Sequence, residues 1–208
     1  MRQMPLALID APPPSFDNFI AGRNAALLAC LAGFGSPALA DRCLYLWGEA
    51  GSGRSHLLNA WRARHAGSPL HAVVDDVETQ DDAGQVALFN RYEAARAGEG
   101  WLLVAGSAAP RDLALRDDLK SRFAWGLAFE VLPLSDEEKS AALARHAAAL
   151  GMTLGEDLRA YLLSRARRDM PGLIALIDTL NAYSLEAKRP VTLPLLRDLL
   201  NQNRMLPL

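Results

Sequence analysis

A glycine-rich stretch, Trp47-Gly48-Glu49-Ala50-Gly51-Ser52-Gly53-Arg54-Ser55, follows the apolar run CLYLW and leads into the helical pattern HLLNAWRARHA. Its glycines allow backbone conformations that a tight turn requires and that other residues adopt only at a cost. An apolar strand, a glycine-rich turn and an immediate helix are the parts of a βα unit, which belongs to a parallel sheet. This stretch therefore predicts an α/β fold and restricts the architecture more than any other part of the chain.

The same loop has the spacing GxxxxGK[ST] of a phosphate-binding P-loop, with Arg54 in the place of the lysine. In such loops backbone N–H groups surround an anion and the following helix N-terminus faces it. Arg54 keeps the positive charge but replaces a compact ammonium with a longer planar fork, so we expect binding more than efficient hydrolysis. The predicted phosphate contacts are Gly48, Gly51, Ser52, Gly53, Arg54, Ser55 and His56, and the Ser55 hydroxyl is also a predicted Mg²⁺ ligand.

Strand and helix patterns alternate up to residue 134 and then only helices follow. The predicted strands are 43–47, 70–74, 101–105 and 127–132, separated by helices near 55–65, 86–98 and 115–123. Ser135 and Glu138 form a capping box that begins an all-helical region. We predict an extended proline-rich arm at 1–15, an α/β domain at 16–134 and a helical domain at 135–205.

A second polar segment, VVDDVE, ends the predicted strand 70–74. Carboxylates at the carboxyl end of a buried parallel strand lie where ligands bind in such sheets. We predict that Asp75 holds Mg²⁺ through water and that Asp76 orients an attacking water. The alternative is a solvated acidic turn, because Asp81 and Asp82 continue the acidity.

The composition is that of an ordinary soluble domain. The chain has 208 residues, is 50% hydrophobic and has a formal net charge of −2, which gives no support for broad electrostatic attachment to nucleic acid. Its 2 cysteines are too few for a disulfide framework. No secretory segment is visible and no apolar run reaches the ~18 residues of a membrane span. We expect a cytoplasmic protein without a membrane partner.

Four segments together resemble the AAA+ module of the bacterial replication initiator DnaA and its shorter homologues. They are the P-loop, VVDDVE, LKSRFAWG (119–126) and FDNFIAGRNAAL (16–27), and the similarity extends over nearly the whole chain. GRSHLL (53–58) and LPLSDEEK (132–139) favour the shorter homologues, which regulate the initiator. The resemblance implies an AAA+ P-loop domain with a shortened parallel sheet of about four strands, followed by a small C-terminal helical lid domain.

The resemblance also implies roles for particular residues. Arg122 in LKSRF matches the arginine finger, which the family presents across a subunit interface to a neighbour's γ-phosphate. Ile20 and Gly22 match the backbone that lines the adenine pocket, so the implied cofactor is ADP or ATP, with or without Mg²⁺. The arm segment Gln3-Met4-Pro5-Leu6-Ala7-Leu8 resembles a peptide that binds the DNA polymerase sliding clamp, an extended segment with a polar residue and apolar anchors.

The implied partners are DnaA and the sliding clamp. We expect no sequence-specific DNA binding, because no helix-turn-helix segment follows residue 205, and self-association is left open. The implied function is a regulator of replication initiation that stimulates hydrolysis of DnaA-bound ATP. Two alternatives stay open at this point: a P-loop ATPase in its own right, of the helicase-loader type, and a nucleotide-free scaffold that links the clamp to DnaA.

Three departures from the family argue against hydrolysis by this chain itself. Only twenty positions separate Ser55 from Asp75, so a strand-helix unit is missing and LHAVV (70–74) is expected to be an edge strand. The polar sensor after the next strand is Ser107, which carries no charge. The sensor arginine of the helical domain falls on Pro171, with Arg167 and Arg168 one turn earlier.

Overall fold

The computed structural model describes residues 12–37, 39–165 and 170–204. The predicted clamp-binding residues 3–8 therefore lie outside the described residues, as do Arg167 and Arg168. An α/β unit comprises residues 13–133, and a helical unit begins at Leu134. Among the described residues, no helix has the length and apolar composition needed to cross a bilayer.

The α/β unit is built on one parallel sheet whose strand order is β2-β3-β1-β4. All four predicted strands are present, and the predicted edge position of the segment around residues 70–74 is correct. The sheet thus confirms the expected shortened AAA+ architecture. Its strands are β1 (Cys43–Trp47), β2 (His71–Val74), β3 (Trp101–Gly106) and β4 (Leu127–Glu130).

Helices cover both faces of this sheet. Alternate residues of β1 point to opposite sides, so Leu44 and Leu46 join one apolar cluster and Tyr45 joins the other. The first cluster includes Leu31 of α1 and Trp61 of α2, whereas the second includes residues of α3 and α4. The four helices are α1 (Ala25–Gly33), α2 (Arg54–Arg64), α3 (Asp82–Arg96) and α4 (Asp117–Trp125).

Asn24 precedes α1 and connects it to the segment after β4. Asn24 occupies the N-cap position of α1, but its side chain makes no capping hydrogen bond. Its amide instead donates to the Leu132 carbonyl at 2.8 Å and accepts from the Leu132 N–H at 2.8 Å. Because Asn24 is 4% exposed, these two bonds satisfy a buried polar group.

The helical unit has its own apolar core, formed by residues of all four of its helices. The predicted capping box at its start is confirmed: Ser135 accepts from the Glu138 N–H, and Glu138 accepts from the Ser135 N–H. Pro171 lies in the first turn of its helix, where a missing N–H leaves no hydrogen bond unmade. The helices are α5 (Asp136–Ala149), α6 (Glu156–Arg165), α7 (Met170–Ala187) and α8 (Leu193–Arg204).

Candidate functional site

The carboxyl ends of three neighbouring strands place the predicted polar residues at one edge of the sheet. Gly48 follows β1, Asp75 follows β2 and Ser107 follows β3. Since β3 lies between β2 and β1 and all three strands are parallel, Ser107 lies between the acidic segment and the P-loop. This edge of an open parallel sheet is where such folds bind ligands.

The P-loop glycines have conformations and surroundings that only glycine tolerates. Gly51 and Gly53 have φ angles of 81° and 102°, in the left-handed region. A Cβ on Gly48 would lie 2.5 Å from the Val131 carbonyl oxygen, and one on Gly53 would lie 2.7 Å from the Phe19 ring. The loop is therefore held between the segment after β4 and the segment that contains Phe19.

Arg54 is the first residue of α2, and its side chain is directed inward. The side chain is 12% exposed, and its Nη1 lies 3.8 Å from Oδ1 of Asp76. That nitrogen is buried without a hydrogen-bond partner. Asp76 adopts a φ of 43°, a left-handed conformation that aspartate tolerates better than most residues. A guanidinium at the lysine position of a P-loop thus faces the strand-end carboxylates with one donor unused.

Glu78 is the residue of this edge whose role the sequence did not reveal, although it belongs to the VVDDVE segment. Its Oε1 accepts a hydrogen bond of 2.9 Å from the backbone N–H of Ser107. Its Oε2 is buried and has no partner. Burial raises the pKa of Glu78, but hydrogen bonds from Ser107 and its own N–H, and the charge of Arg54, together bring it below its ordinary value. The Glu78 carboxylate therefore accepts a hydrogen bond from the sensor residue Ser107 and is also stabilised by the positive charge of Arg54.

Tyr45 lies beneath this polar group. Its hydroxyl donates to the Ala108 carbonyl at 2.7 Å, and its ring stacks on Phe123 at 5.2 Å. Burial and then the charge of Glu78 raise the pKa of Tyr45, whereas Arg54 lowers it. The hydroxyl consequently stays protonated and fixes the turn after β3.

The other residues predicted to contact a nucleotide lie at the start of α2 and in the segment before α1. Ser55 is exposed at the start of α2. His56 Nε2 lies 2.9 Å from the Ser15 carbonyl oxygen, and its ring packs at 5.5 Å from Phe19. Ile20 is half-buried directly after Phe19, whereas Gly22 is exposed with a φ of 48°. The segment containing Ile20 thus lies against the P-loop, and its adenine-pocket role stays a prediction.

The residues present fit an anionic ligand accompanied by a cation. Ser52 Oγ and Arg54 Nη1 are buried donors without partners, and Gly53 at the N-cap leaves α2 without a side-chain cap. The carboxylates of Asp75 and Asp76 and the buried Oε2 of Glu78 oppose a bare phosphate at this edge. Nucleotide phosphates would therefore be held by the loop and Arg54, with Mg²⁺ neutralising part of the carboxylate charge.

Arg122, the predicted arginine finger, is held against α3 in this chain. Its Nε pairs with Glu93 Oε1 at 2.7 Å, and its Nη1 donates to the Asp118 carbonyl at 3.1 Å. Its guanidinium also stacks on the Phe89 ring, 4.3 Å from the centroid. The side chain is 29% exposed, so a partner can still reach it.

Arg122 lies near the amino end of β1, whereas the P-loop begins at the carboxyl end of that strand. It shares a groove with Arg42 and Cys43, at the amino end of β1, whereas Gly48 follows the carboxyl end of that strand. The five residues of β1 separate its ends by about 13 Å, at about 3.3 Å per residue. Arg122 is therefore too far away to contact phosphates held by the P-loop of its own chain.

Comparisons with known proteins agree with this architecture. Residues 136–200 match the family model described as the lid domain of Hda. An uncharacterized protein of Haemophilus influenzae is 29% identical over 229 residues, covering 96% of this chain and 99% of that protein. Because that alignment is longer than the 208-residue chain, the relative carries residues that this chain lacks.

Two solved DnaA structures share the fold. Domain III of Thermotoga maritima DnaA has a TM-score of 0.67 and 18% identity, covering 91% of this chain and 96% of that one. AMPPCP-bound DnaA from Aquifex aeolicus has a TM-score of 0.66 and 17% identity, covering 84% of this chain and 67% of that one. The fold and loop thus define an AAA+ P-loop domain followed by a helical lid. Residues 136–200 within the helical unit match the Hda lid domain, and the chain as a whole shares the fold of DnaA.

The lowered pKa of Glu78 predicts a pH-dependent contribution to stability. Folding favours the charged carboxylate, so this stabilisation is present above the ordinary pKa of 4.5 and is lost as the pH falls through the folded value. Glu78→Gln keeps an acceptor for Ser107 but cannot ionise. In urea titrations we expect the free energy of unfolding to differ most between wild type and variant near pH ~6, with the difference shrinking toward pH ~3.

Glu99→Gln, which changes an exposed glutamate beyond α3, is the control and should follow the wild type at each pH. A difference between wild type and Glu78→Gln that stays constant from pH ~6 to ~3 would show that the folded chain does not favour the Glu78 carboxylate.

Proposed function

We propose that this chain regulates the initiation of chromosomal replication by stimulating hydrolysis of DnaA-bound ATP while attached to the sliding clamp. In this proposal Arg122 is a catalytic residue that acts in trans on the nucleotide of a DnaA protomer. Hydrolysis would leave the initiator in its inactive form. The Hda lid and the DnaA-like fold support a replication regulator, and the position of Arg122 supports action across an interface.

The single observation that carries the proposal is the separation of Arg122 from its own P-loop. The two lie at opposite ends of β1, so a phosphate that Arg122 contacts is not one held by its own P-loop, which favours action on a second subunit. An arginine supplied in trans stabilises the charge that develops on a transferring phosphoryl group. The guanidinium is already desolvated on one face by Phe89, which lowers the cost of burying it in an interface.

The chain's own P-loop is proposed to hold ADP or ATP as a structural ligand. Gly48, Gly51 and Gly53 shape the loop, while Arg54 and Ser52 provide donors without other partners. Ser55 and Asp75 would bind Mg²⁺, which neutralises charge on the phosphates. Ser107 carries no charge, the resemblance assigns the sensor-arginine position to Pro171, and Asp76 faces Arg54 at 3.8 Å, so holding a nucleotide is favoured over hydrolysing it.

Replacing Arg122 should remove the stimulation of DnaA. With ATP-loaded DnaA and DNA-loaded clamp, we expect Arg122→Ala to lower the maximal rate of phosphate release about 10³-fold, since fingers supplied in trans contribute that much or more. Arg145→Ala, which removes an exposed arginine of α5, should leave the rate unchanged. An Arg122→Ala chain as stimulatory as the wild type would overturn the proposed role.

Calorimetric titration with Mg-ADP tests the nucleotide site. We expect wild type to bind and Arg54→Ala to bind about 10-fold to 100-fold more weakly, because a hydrogen bond to a charged group contributes about 1.5–3 kcal/mol. Arg62→Ala, on the exposed side of the same helix α2, is the matched control. No heat with ADP or ATP would instead favour the nucleotide-free scaffold.

The competing ATPase hypothesis is tested with the same preparations. Steady phosphate release by the purified chain alone, abolished by Asp76→Ala, would favour it. Arg54 is nearly buried beside Asp76, so each side chain balances the charge of the other. This pairing favours a site that holds a nucleotide over one that hydrolyses ATP.

The arm is proposed to attach the chain to the clamp through residues 3–8. Leu6 is an apolar anchor, and losing its burial in a groove costs about 1.5–3 kcal/mol, so we expect Leu6→Ala to weaken clamp binding about tenfold or more in surface plasmon resonance. Arg2→Ala lies outside the motif and should bind as the wild type does. Equal binding by both variants would place the clamp contact elsewhere.

A further inference from the structure

Trp125, at the end of α4, is exposed to an unusual degree for a large apolar side chain. It is 91% exposed, while the next most exposed large apolar residue in the described parts of the chain is Leu185 at 72%. A tryptophan offers roughly 150–250 Å² of surface for burial and is among the residues that most often dominate binding energy at interfaces. An indole left in solvent at this position contributes nothing to the core of this chain.

Trp125 and Arg122 belong to one surface. They are three residues apart on α4, a spacing that puts side chains on neighbouring positions of the same helix face. Both line a groove of about 440 Å³ between α4, α3 and the segment before β1. A partner that contacts the Arg122 guanidinium at this edge of the sheet therefore meets the indole as well.

The groove beside Trp125 carries an excess of positive charge. Arg42, Arg96 and Arg122 line it, with Asp41 as its acidic member. Glu93 offsets part of the charge through its pair with Arg122, and Arg42 lies over the Trp101 ring. Arg96 is exposed and forms no ion pair within the described parts of the chain, so the surface suits a partner that brings negative charge.

A nucleotide-loaded P-loop edge has the required charge. This chain's own P-loop illustrates the negative charge of such a site, because Asp75, Asp76 and Glu78 lie beside it at the carboxyl ends of the strands. A bound triphosphate adds further negative charge to such an edge. A protomer of the same fold that carries ATP is thus complementary to the Trp125 groove, and the contact is head-to-tail, with different edges meeting.

We propose that Trp125 is the apolar anchor through which this groove docks on the nucleotide-bearing edge of an ATP-bound DnaA protomer. The inference rests on the proposed function. In it, two residues of α4 have different roles. Trp125 provides affinity by burying its indole in the partner, whereas Arg122 acts on the phosphate. The two substitutions therefore change different parameters of the same reaction.

The test measures DnaA-bound ATP hydrolysis against the concentration of the full chain. We expect Trp125→Ala to raise the half-maximal concentration about 10-fold to 30-fold, as loss of an interface hot spot does, while the maximal rate stays within about twofold of wild type. Arg122→Ala should lower the maximal rate instead. Trp125→Phe should restore part of the affinity, since it restores part of the apolar surface.

Leu185→Ala is the matched control, because it removes another exposed apolar side chain from the helical unit. It should leave both parameters unchanged. Binding of each variant to AMPPCP-loaded DnaA, followed by interferometry, gives the affinity without any hydrolysis. Since Trp125 is exposed, its replacement should leave the thermal unfolding midpoint unchanged, which checks that the variant is folded.

The outcomes separate this inference from the proposed function. An unchanged half-maximal concentration for Trp125→Ala overturns the inference, as does a loss of maximal rate at unchanged affinity. Self-association that depends on Trp125, with DnaA binding unaffected, also overturns it and assigns the groove to a second copy of this chain. Trp125-dependent binding to AMPPCP-loaded DnaA without any stimulation by the wild type supports the anchor and refutes the proposed function.

Discussion

The central position of β1, hydrogen-bonded to β3 on one side and β4 on the other, determines where the P-loop and the Arg122 groove lie. Leu44, Tyr45 and Leu46 are fully buried, so the strand cannot shift by one residue without exposing one apolar face. Its carboxyl end begins the P-loop, and its amino end borders the Arg122 groove. One strand thus separates the proposed nucleotide site from the surface through which Arg122 is proposed to act on a partner.

Charge at the P-loop edge explains why Arg54 is compatible with holding a ligand. A buried guanidinium without a full set of partners is costly, and the carboxylates of Asp76 and Glu78 reduce that cost in the free chain. An incoming phosphate must compete with these carboxylates for the same cation. The arginine fork carries several donors, so one can face Asp76 while another remains available to a phosphate, whereas the Ser107 side chain carries no charge.

The strands, the P-loop and the capping box at Ser135 were predictable because each depends on a local pattern of a few residues. The edge position of β2 was predictable for a similar reason, since the short distance from Ser55 to Asp75 leaves no room for another strand. The hydrogen bonds from Asn24 to Leu132 and from Ser107 to Glu78 were not. Each joins residues far apart in sequence, and only the folded sheet brings them together.

The contacts of Arg122 define what the partner in the proposed interface must supply. In this chain the guanidinium already has a carboxylate at 2.7 Å and an aromatic ring beneath it, so its charge is balanced and its orientation is fixed. A partner that merely offers another carboxylate gains little by displacing Glu93. A γ-phosphate carries more charge and accepts two parallel hydrogen bonds from an arginine, so it can win this competition. Because Arg122 must leave Glu93 to bind a new partner, the pair makes a phosphate a better ligand for Arg122 than a carboxylate on a partner's surface.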